Sequence, residues 1–313
     1  MNNQISVVVI TYNSELKAII LTLESIIRQK NINLEIIVSD DGSKVQYEKE
    51  LKAYFESKNF TNYQLLLHKE NQGTVKNVFD GVKHAKYENI KVIGAGDLLY
   101  KETILDDVVI FMNENKLDYA FTDAVYFFDD GKEIKTTIFS QPVINKPYNL
   151  KTYNQKKIEK NIMLLNDFVL GASIFYKKDA FMEICDKLQD KIKYEEDAIV
   201  TASFLTGRKI AHYEEYGVYY EHGSGLSLNF ANLLYKDSLE LFDYLKDNTN
   251  YKRMNKALKL RHIQETSKKQ LLKKILIYPP LFFFKVKMQF IKKKEANYDF
   301  YRLCKDEADK YEL

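Results

Sequence analysis

Residues 5–13, ISVVVITYN, begin with a β-branched apolar run that stops at a polar turn. Such a run lacks in–out alternation and has the pattern of a strand buried on both faces of a parallel sheet. Ser14 offers an N-cap for a helix carrying Leu16, Ile19, Ile20, Leu23, Ile26 and Ile27 at helical spacing. A second strand, Leu34–Val38, ends in Ser39-Asp40-Asp41-Gly42-Ser43. A helix near Gln46–Lys58 and a strand over Tyr63–His68 lead to Asn71-Gln72-Gly73-Thr74, and another helix follows to about Tyr87. The strand Ile90–Ile93 then runs into Gly94-Ala95-Gly96-Asp97. This alternation predicts an α/β fold: a doubly wound, mostly parallel sheet flanked by helices, with its ligand crevice at the C-terminal strand ends.

Residues 101–227 are less regular. Strands are expected at Tyr119–Thr122, Ala124–Phe128 and Phe168–Tyr176, with a hairpin turn at Asp129-Asp130-Gly131-Lys132. From residue 228 the pattern is helical and tyrosine-rich, then basic. The chain therefore divides into 1–100, 101–227 and 228–313, the last a helical, basic C-terminal extension.

Composition excludes several classes. Two cysteines, Cys185 and Cys304, with no CxxC, argue against a disulfide scaffold and a structural zinc site. Neither GxGxxG nor GxxxxGKS/T follows the first strand, which argues against a dinucleotide dehydrogenase and a P-loop nucleotidase. MNNQISVVVI lacks a basic segment followed by a long apolar one, so a secretory signal is not expected. No apolar run approaches the roughly 18 residues of a membrane span.

Six segments arrive in order: VVVITYN (7–13), EIIVSDDGS (35–43), NQGTVKN (71–77), GAGD (94–97), Glu196-Asp197 and HGSGLS (222–227). The set resembles family 2 glycosyltransferases, inverting nucleotide-sugar enzymes of the GT-A fold. The resemblance covers about residues 5–227. It implies transfer of a sugar, most often UDP-linked, to a hydroxyl of a surface glycan or lipid-linked acceptor. Thr11, Tyr12, Asn13, Asp40, Asp41, Asn71, Gly73 and Gly96 would then surround the donor nucleotide; carboxylates there can accept hydrogen bonds from base N–H or ribose hydroxyl groups. An Asp-Asp-Gly turn alone has an ordinary capping reading.

Asp97 is the leading metal ligand, for Mn2+ or Mg2+ bridging to the diphosphate. Gly94 and Gly96 stand where the family often has acids, so most ligands would come from the nucleotide. The resemblance makes Asp197 the catalytic base that takes the acceptor's proton, although acids in a first helical turn also suit the helix dipole. It sets His222 near metal or phosphate, with an exposed loop histidine as the alternative. Gly171, Ala172 and Glu196 would line the acceptor pocket; a close-packed strand start explains the two small residues equally well. The missing acids at 94 and 96 keep open a non-catalytic nucleotide-sugar-binding scaffold.

The formal charge of +3 is a cancellation. Residues 252–294 hold 14 basic residues and one acid, Glu265, leaving 33 basic and 43 acidic residues elsewhere. The ten-residue apolar run Ile275–Phe284, interrupted by Pro279-Pro280, is too short to span a bilayer. Lysines around it suit an anionic membrane surface, on the cytoplasmic face of the cell membrane if the acceptor is lipid-linked. The alternative is docking onto the catalytic body or a second subunit, and homo-oligomerisation stays open. No nucleic-acid partner is expected, because no binding module accompanies the charge.

Overall fold

The structure is a computed structural model and describes residues 3–129, 134–136, 141–221, 231–290 and 295–311. Its N-terminal half follows the expected alternation: β1 (Gln4–Thr11), α1 (Leu16–Ile27), β2 (Asn33–Asp40), α2 (Glu48–Ser57), β3 (Tyr63–Leu67), α3 (Thr74–His84) and β4 (Asn89–Gly94). Strands β3-β2-β1-β4 are adjacent and parallel. Ile5, Val7, Val8 and Val9 are fully buried. Alternate side chains leave opposite faces of a strand, so Val8 joins Ile37, Val75 and Val78 while Ile5, Val7 and Val9 pack with α1 residues Ile20 and Leu23. Helix α1 starts later than expected: Glu15, not Ser14, is its N-cap, and no side chain caps it.

The second half continues with β5 (Leu98–Leu99), α4 (Ile104–Glu114), β6 (Tyr119–Asp129), β7 (Ile134–Thr136), α5 (Gln155–Leu165), β8 (Ile174–Lys177), α6 (Lys178–Leu188), α7 (Glu196–Leu205) and β9 (Ile210–Glu221). The nine-stranded sheet runs β3-β2-β1-β4-β8-β6-β9-β5, with β7 on β6. Here parallel and antiparallel pairs mix: β8 is antiparallel to both β4 and β6, whereas β6 and β9 are parallel. The two strands expected at 119–128 are one strand, with register shifts around Asp123. Gly217 sits at this irregularity, where a Cβ would come within 2.1 Å of Thr122 Oγ1. The strand expected over 168–176 is shorter, because Gly171–Ser173 forms a 3-10 turn before β8. Strands β6 and β7 pair antiparallel on either side of the expected hairpin turn, whose residues 130–132 lie outside the described residues.

Among the described residues five helices follow: α8 (Ala231–Asn248), α9 (Met254–Arg261), α10 (Lys268–Ile277), α11 (Pro280–Gln289) and α12 (Asp299–Ala308). Helix α8 packs on α7, α9 on α5 and α8, and α12 returns to α1. Tyr301, Cys304 and Ala308 form the buried stripe of α12 at helical spacing. The Tyr301 ring lies 5.1 Å from Phe127 and 5.7 Å from Tyr219. The end of the C-terminal region thus closes the outer side of the catalytic sheet. Replacing a buried aromatic by alanine costs roughly 3–5 kcal/mol. Tyr301→Ala should lose about that much in urea unfolding, whereas an unchanged midpoint would mean that α12 does not contribute to the core.

Candidate active site

Parallel register brings three strand ends to one rim: Thr11 lies opposite Asp40, and Ile10 opposite Gly94. Asp40 is buried, and its carboxylate accepts from Thr11 Oγ1 at 2.7 Å, Ser43 N at 2.8 Å, Ser43 Oγ at 2.5 Å and Gln46 Nε2 at 3.1 Å. Asp41 accepts the N–H groups of Gln72 at 2.8 Å and Gly73 at 3.0 Å, pinning the turn before α3. Burial raises its pKa, against the pull of those two N–H groups. Asn13 has φ of 50°; its N–H donates to Ser43 Oγ and its Oδ1 accepts from Lys44 N. Asparagine tolerates that left-handed backbone better than most residues. Thr11, Asn13, Asp40 and Asp41 are therefore brought together, with their polar atoms shaping the loops. Tyr12, 47% exposed, and Asn71, also exposed, project from the rim. Gly73 has a packing reason as well: at φ of 98° its Cβ would meet the backbone oxygen of Lys193 at 2.7 Å.

Asp97 follows a turn in which Gly96 has φ of 101°. Thr22 on α1 holds that turn, accepting from Gly96 N at 2.9 Å and donating to the Asp97 carbonyl at 2.8 Å. Pairing of Leu98 with Tyr219 sets Asp97 beside the end of β9, and the Glu221 N–H lies 3.4 Å from Asp97 Oδ1. Burial pushes the Asp97 pKa up to about 7; the Glu221 N–H and Lys91 oppose this, and the Glu221 carboxylate adds to it. Glu221 is a neighbouring acid that belongs to none of the sequence motifs. Two neighbouring carboxylates whose repulsion Lys91 only partly offsets suit a cation already carrying diphosphate oxygens. Among the described residues no three His, Cys, Asp or Glu side chains form a metal cluster. His222 lies outside the described residues.

The expected base heads α7. Asp237 on α8 accepts the N–H groups of Lys193, Tyr194 and Glu195 at 3.2, 2.6 and 3.0 Å, so one buried carboxylate organises the turn before it. Asp197 Oδ2 accepts the Gly171 N–H at 3.0 Å. Its Oδ1 is buried and has no hydrogen-bond partner among the described residues. A Cβ at position 171 would lie 1.7 Å from that oxygen, so a side chain there would displace the Asp197 carboxylate. Ala172 presents its carbonyl to Lys91, a fully buried lysine of β4 that also donates to the Ile174 carbonyl at 3.2 Å and lies 4.9 Å from the Phe175 ring centroid. Burial lowers the Lys91 pKa to about 7, against the pull of Asp97 and then Asp197. Lys91 thus links the donor strand to the turn that grips Asp197. In sequence it is one lysine among many; a charge in the middle of an apolar strand was the only signal.

Burial raises the pKa of both Glu196 and Asp197. Repulsion from Asp197 pushes Glu196 higher, whereas the Gly171 N–H and Lys91 restrain Asp197. Glu195 rises from 4.5 to about 8, chiefly by burial, and its Oε2 is unpartnered. An acid whose folded pKa exceeds its unfolded one adds stability below the lower value and loses it as pH rises through the higher. Stability should therefore fall between pH 4.5 and about 8 through Glu195. Glu195→Gln should melt like the parent at pH 4.5 and above it at pH 9; equal melting at both would refute a buried, ionisable Glu195.

Comparison with known proteins gives the family and the fold. The profile of glycosyl transferase family 2 matches residues 6–185, more than half of the chain. Glycosyltransferase GlyG of Streptococcus pneumoniae serotype 4 is 26% identical over 261 residues, covering 77% of this chain and 79% of GlyG. S. aureus TarS 1-349 in complex with UDP-GlcNAc matches with a TM-score of 0.59 at 17% identity, over 98% of this chain and 92% of that one. The mannosyltransferase PcManGT from Pyrobaculum calidifontis, in complex with GDP-Man and Mn2+, matches with a TM-score of 0.55 at 13% identity, over 96% and 85% of the two chains. At these identities the structural likeness establishes the GT-A type fold. Since the family profile spans the three donor-side strand ends and the Gly171 turn, the chain belongs to glycosyl transferase family 2 and is a glycosyltransferase.

Proposed function

We propose that the protein transfers a sugar from a UDP-linked donor to a hydroxyl of a surface glycan or lipid-linked oligosaccharide, with inversion at the anomeric carbon. The observation that carries this reading is Asp197: one carboxylate oxygen is held by the Gly171 N–H, and the other is buried and unpartnered. The acceptor oxygen bonds to the anomeric carbon as the bond from that carbon to the diphosphate oxygen breaks. The acceptor proton passes to Asp197 Oδ1, and the electron pair leaves with the diphosphate. A base works best with a pKa near the working pH, the direction in which burial moves Asp197. Burial and then repulsion from Asp197 favour the protonated form of Glu196, which in this reading offers its O–H to an acceptor oxygen beside Gly171 and Ala172.

On the donor side, the exposed Tyr12 ring offers a face for the uracil base, with Asn71 beside the same rim. The loops pinned through Thr11, Asn13, Asp40, Asp41, Gly73 and Gly96 form the walls. Structural neighbours in complex with UDP-GlcNAc and with GDP-Man support a nucleotide-sugar donor. Asp97, with Glu221 alongside, would hold Mn2+ or Mg2+, and the ion when bound supplies Lewis acidity to the departing diphosphate. A lipid-linked acceptor sets the enzyme on the cytoplasmic face of the cell membrane.

Asp197→Asn should lower turnover roughly 10²–10⁴-fold while the thermal shift given by UDP stays as in the parent; unchanged turnover would remove Asp197 from the mechanism. In the parent, kcat/KM should rise with pH across the range in which Asp197 ionises, because the base acts deprotonated. A rate flat from about pH 5 to pH 8 would contradict that assignment. Asp97→Asn should abolish the extra thermal shift that Mn2+ adds to UDP but leave the shift with UDP alone. An Mn2+ increment equal to the parent's would place the ion elsewhere.

A further inference from the structure

Helices α10 and α11 each carry apolar side chains on two sides. Toward the body, Tyr278, Leu281 and Phe284 are buried in the core that includes Met163, Leu164 and Leu260, with Leu271, Ile275 and Met288 packed against it. The remaining apolar residues have no such cover. Leu276 is 81% exposed and Phe283 72%, and Leu272, Phe282 and Phe290 are exposed with them. Among the described residues, half of the exposed large apolar side chains fall in this one segment. Isolated surface hydrophobes are normal, but a concentration of them marks a contact surface.

Charge identifies the partner. Residues 266–294 contain nine lysines and no acid. Lys274 and Lys285 pair with Glu265 at 3.6 and 2.9 Å. Lys268, Lys269 and Lys273 are exposed and form no ion pair among the described residues. Protein interfaces are depleted in lysine, whereas exposed phenylalanine and leucine flanked by lysines suit an interface of acyl chains and anionic headgroups. No described helix is long and apolar enough to cross a membrane, so the contact lies at the surface.

We infer that the outward face of α10 and α11 docks on an anionic lipid bilayer, with Leu272, Leu276, Phe282, Phe283 and Phe290 entering the headgroup boundary. The inward face keeps the helices attached to the catalytic body, so docking requires no unfolding of the segment. This reading is independent of the donor and acceptor, since none of these residues lines the catalytic crevice described above.

The test is sedimentation of the full chain with extruded vesicles of phosphatidylcholine, with and without phosphatidylglycerol. The parent should bind the anionic vesicles, and binding should weaken as salt rises. The double variant Leu276→Glu/Phe283→Glu should lose on the order of 100-fold in partitioning, with its circular-dichroism melt and donor hydrolysis unchanged. A triple Lys268→Gln/Lys269→Gln/Lys273→Gln variant, which leaves every apolar contact in place, should lose the preference for anionic vesicles. Failure of the parent to bind, or equal binding by all three proteins, would overturn the inference. So would a parent dimer in analytical ultracentrifugation that the double variant abolishes while neither protein binds vesicles.

Discussion

A lysine ammonium fully removed from water must be met by oxygen atoms and by negative charge, and the centre of this molecule is arranged around that requirement at Lys91. Two carbonyls, of Ala172 and Ile174, accept hydrogen bonds from it, the Phe175 ring lies against it, and the charges of Asp97 and Asp197 oppose its deprotonation. The lysine stands on β4, in the parallel half of the sheet, and its partners belong to the turn entering β8. Because the same turn presents the Gly171 N–H to Asp197, β4 and the start of α7 share one buried junction. Without it, carboxylates from two parts of the chain would face each other with less compensation.

The site concentrates acids that are expensive to keep charged. Asp97, Glu195, Glu196 and Asp197 are all raised, in each case first by burial. Similar side chains acquire different properties from their surroundings: Asp197 is restrained by an N–H and a cation, while Glu196 is driven up by its neighbour. Perturbations of this kind cluster at functional sites because catalysis needs groups that titrate near working pH. Stability is lost there and recovered in the buried strands and in the helices that brace them.

Rigidity comes from other carboxylates, whose oxygens are consumed by the protein itself. Asp40 gathers Thr11, Ser43 and Gln46; Asp41 clamps the turn at 72–73; Asp237 gathers three consecutive N–H groups before α7. Each replaces water at loop backbone that would otherwise be free to move, so the crevice walls are set before ligand arrives. This gives the Asp40-Asp41 motif a structural task of its own alongside any contact with the nucleotide.

Much of the fold was legible because local rules decide it. Continuous apolar runs such as 5–10 can only be satisfied between two layers of helices, and the helical spacing of Leu16, Ile19, Leu23 and Ile26 supplies one such layer. The ordered motifs also pointed to the family and to the positions of Asp97 and Asp197. Glu221, Thr22, Lys91 and Asp237 were not legible, since each acts on residues between 42 and 124 positions away, or across strands whose pairing no local pattern specifies. The C-terminal helices show the same division. Sequence alone determined that the segment is basic, apolar and too short to cross a bilayer. Only tertiary packing decided which apolar side chains serve the core and which face outward, because that choice depends on what the rest of the chain brings against each helix face.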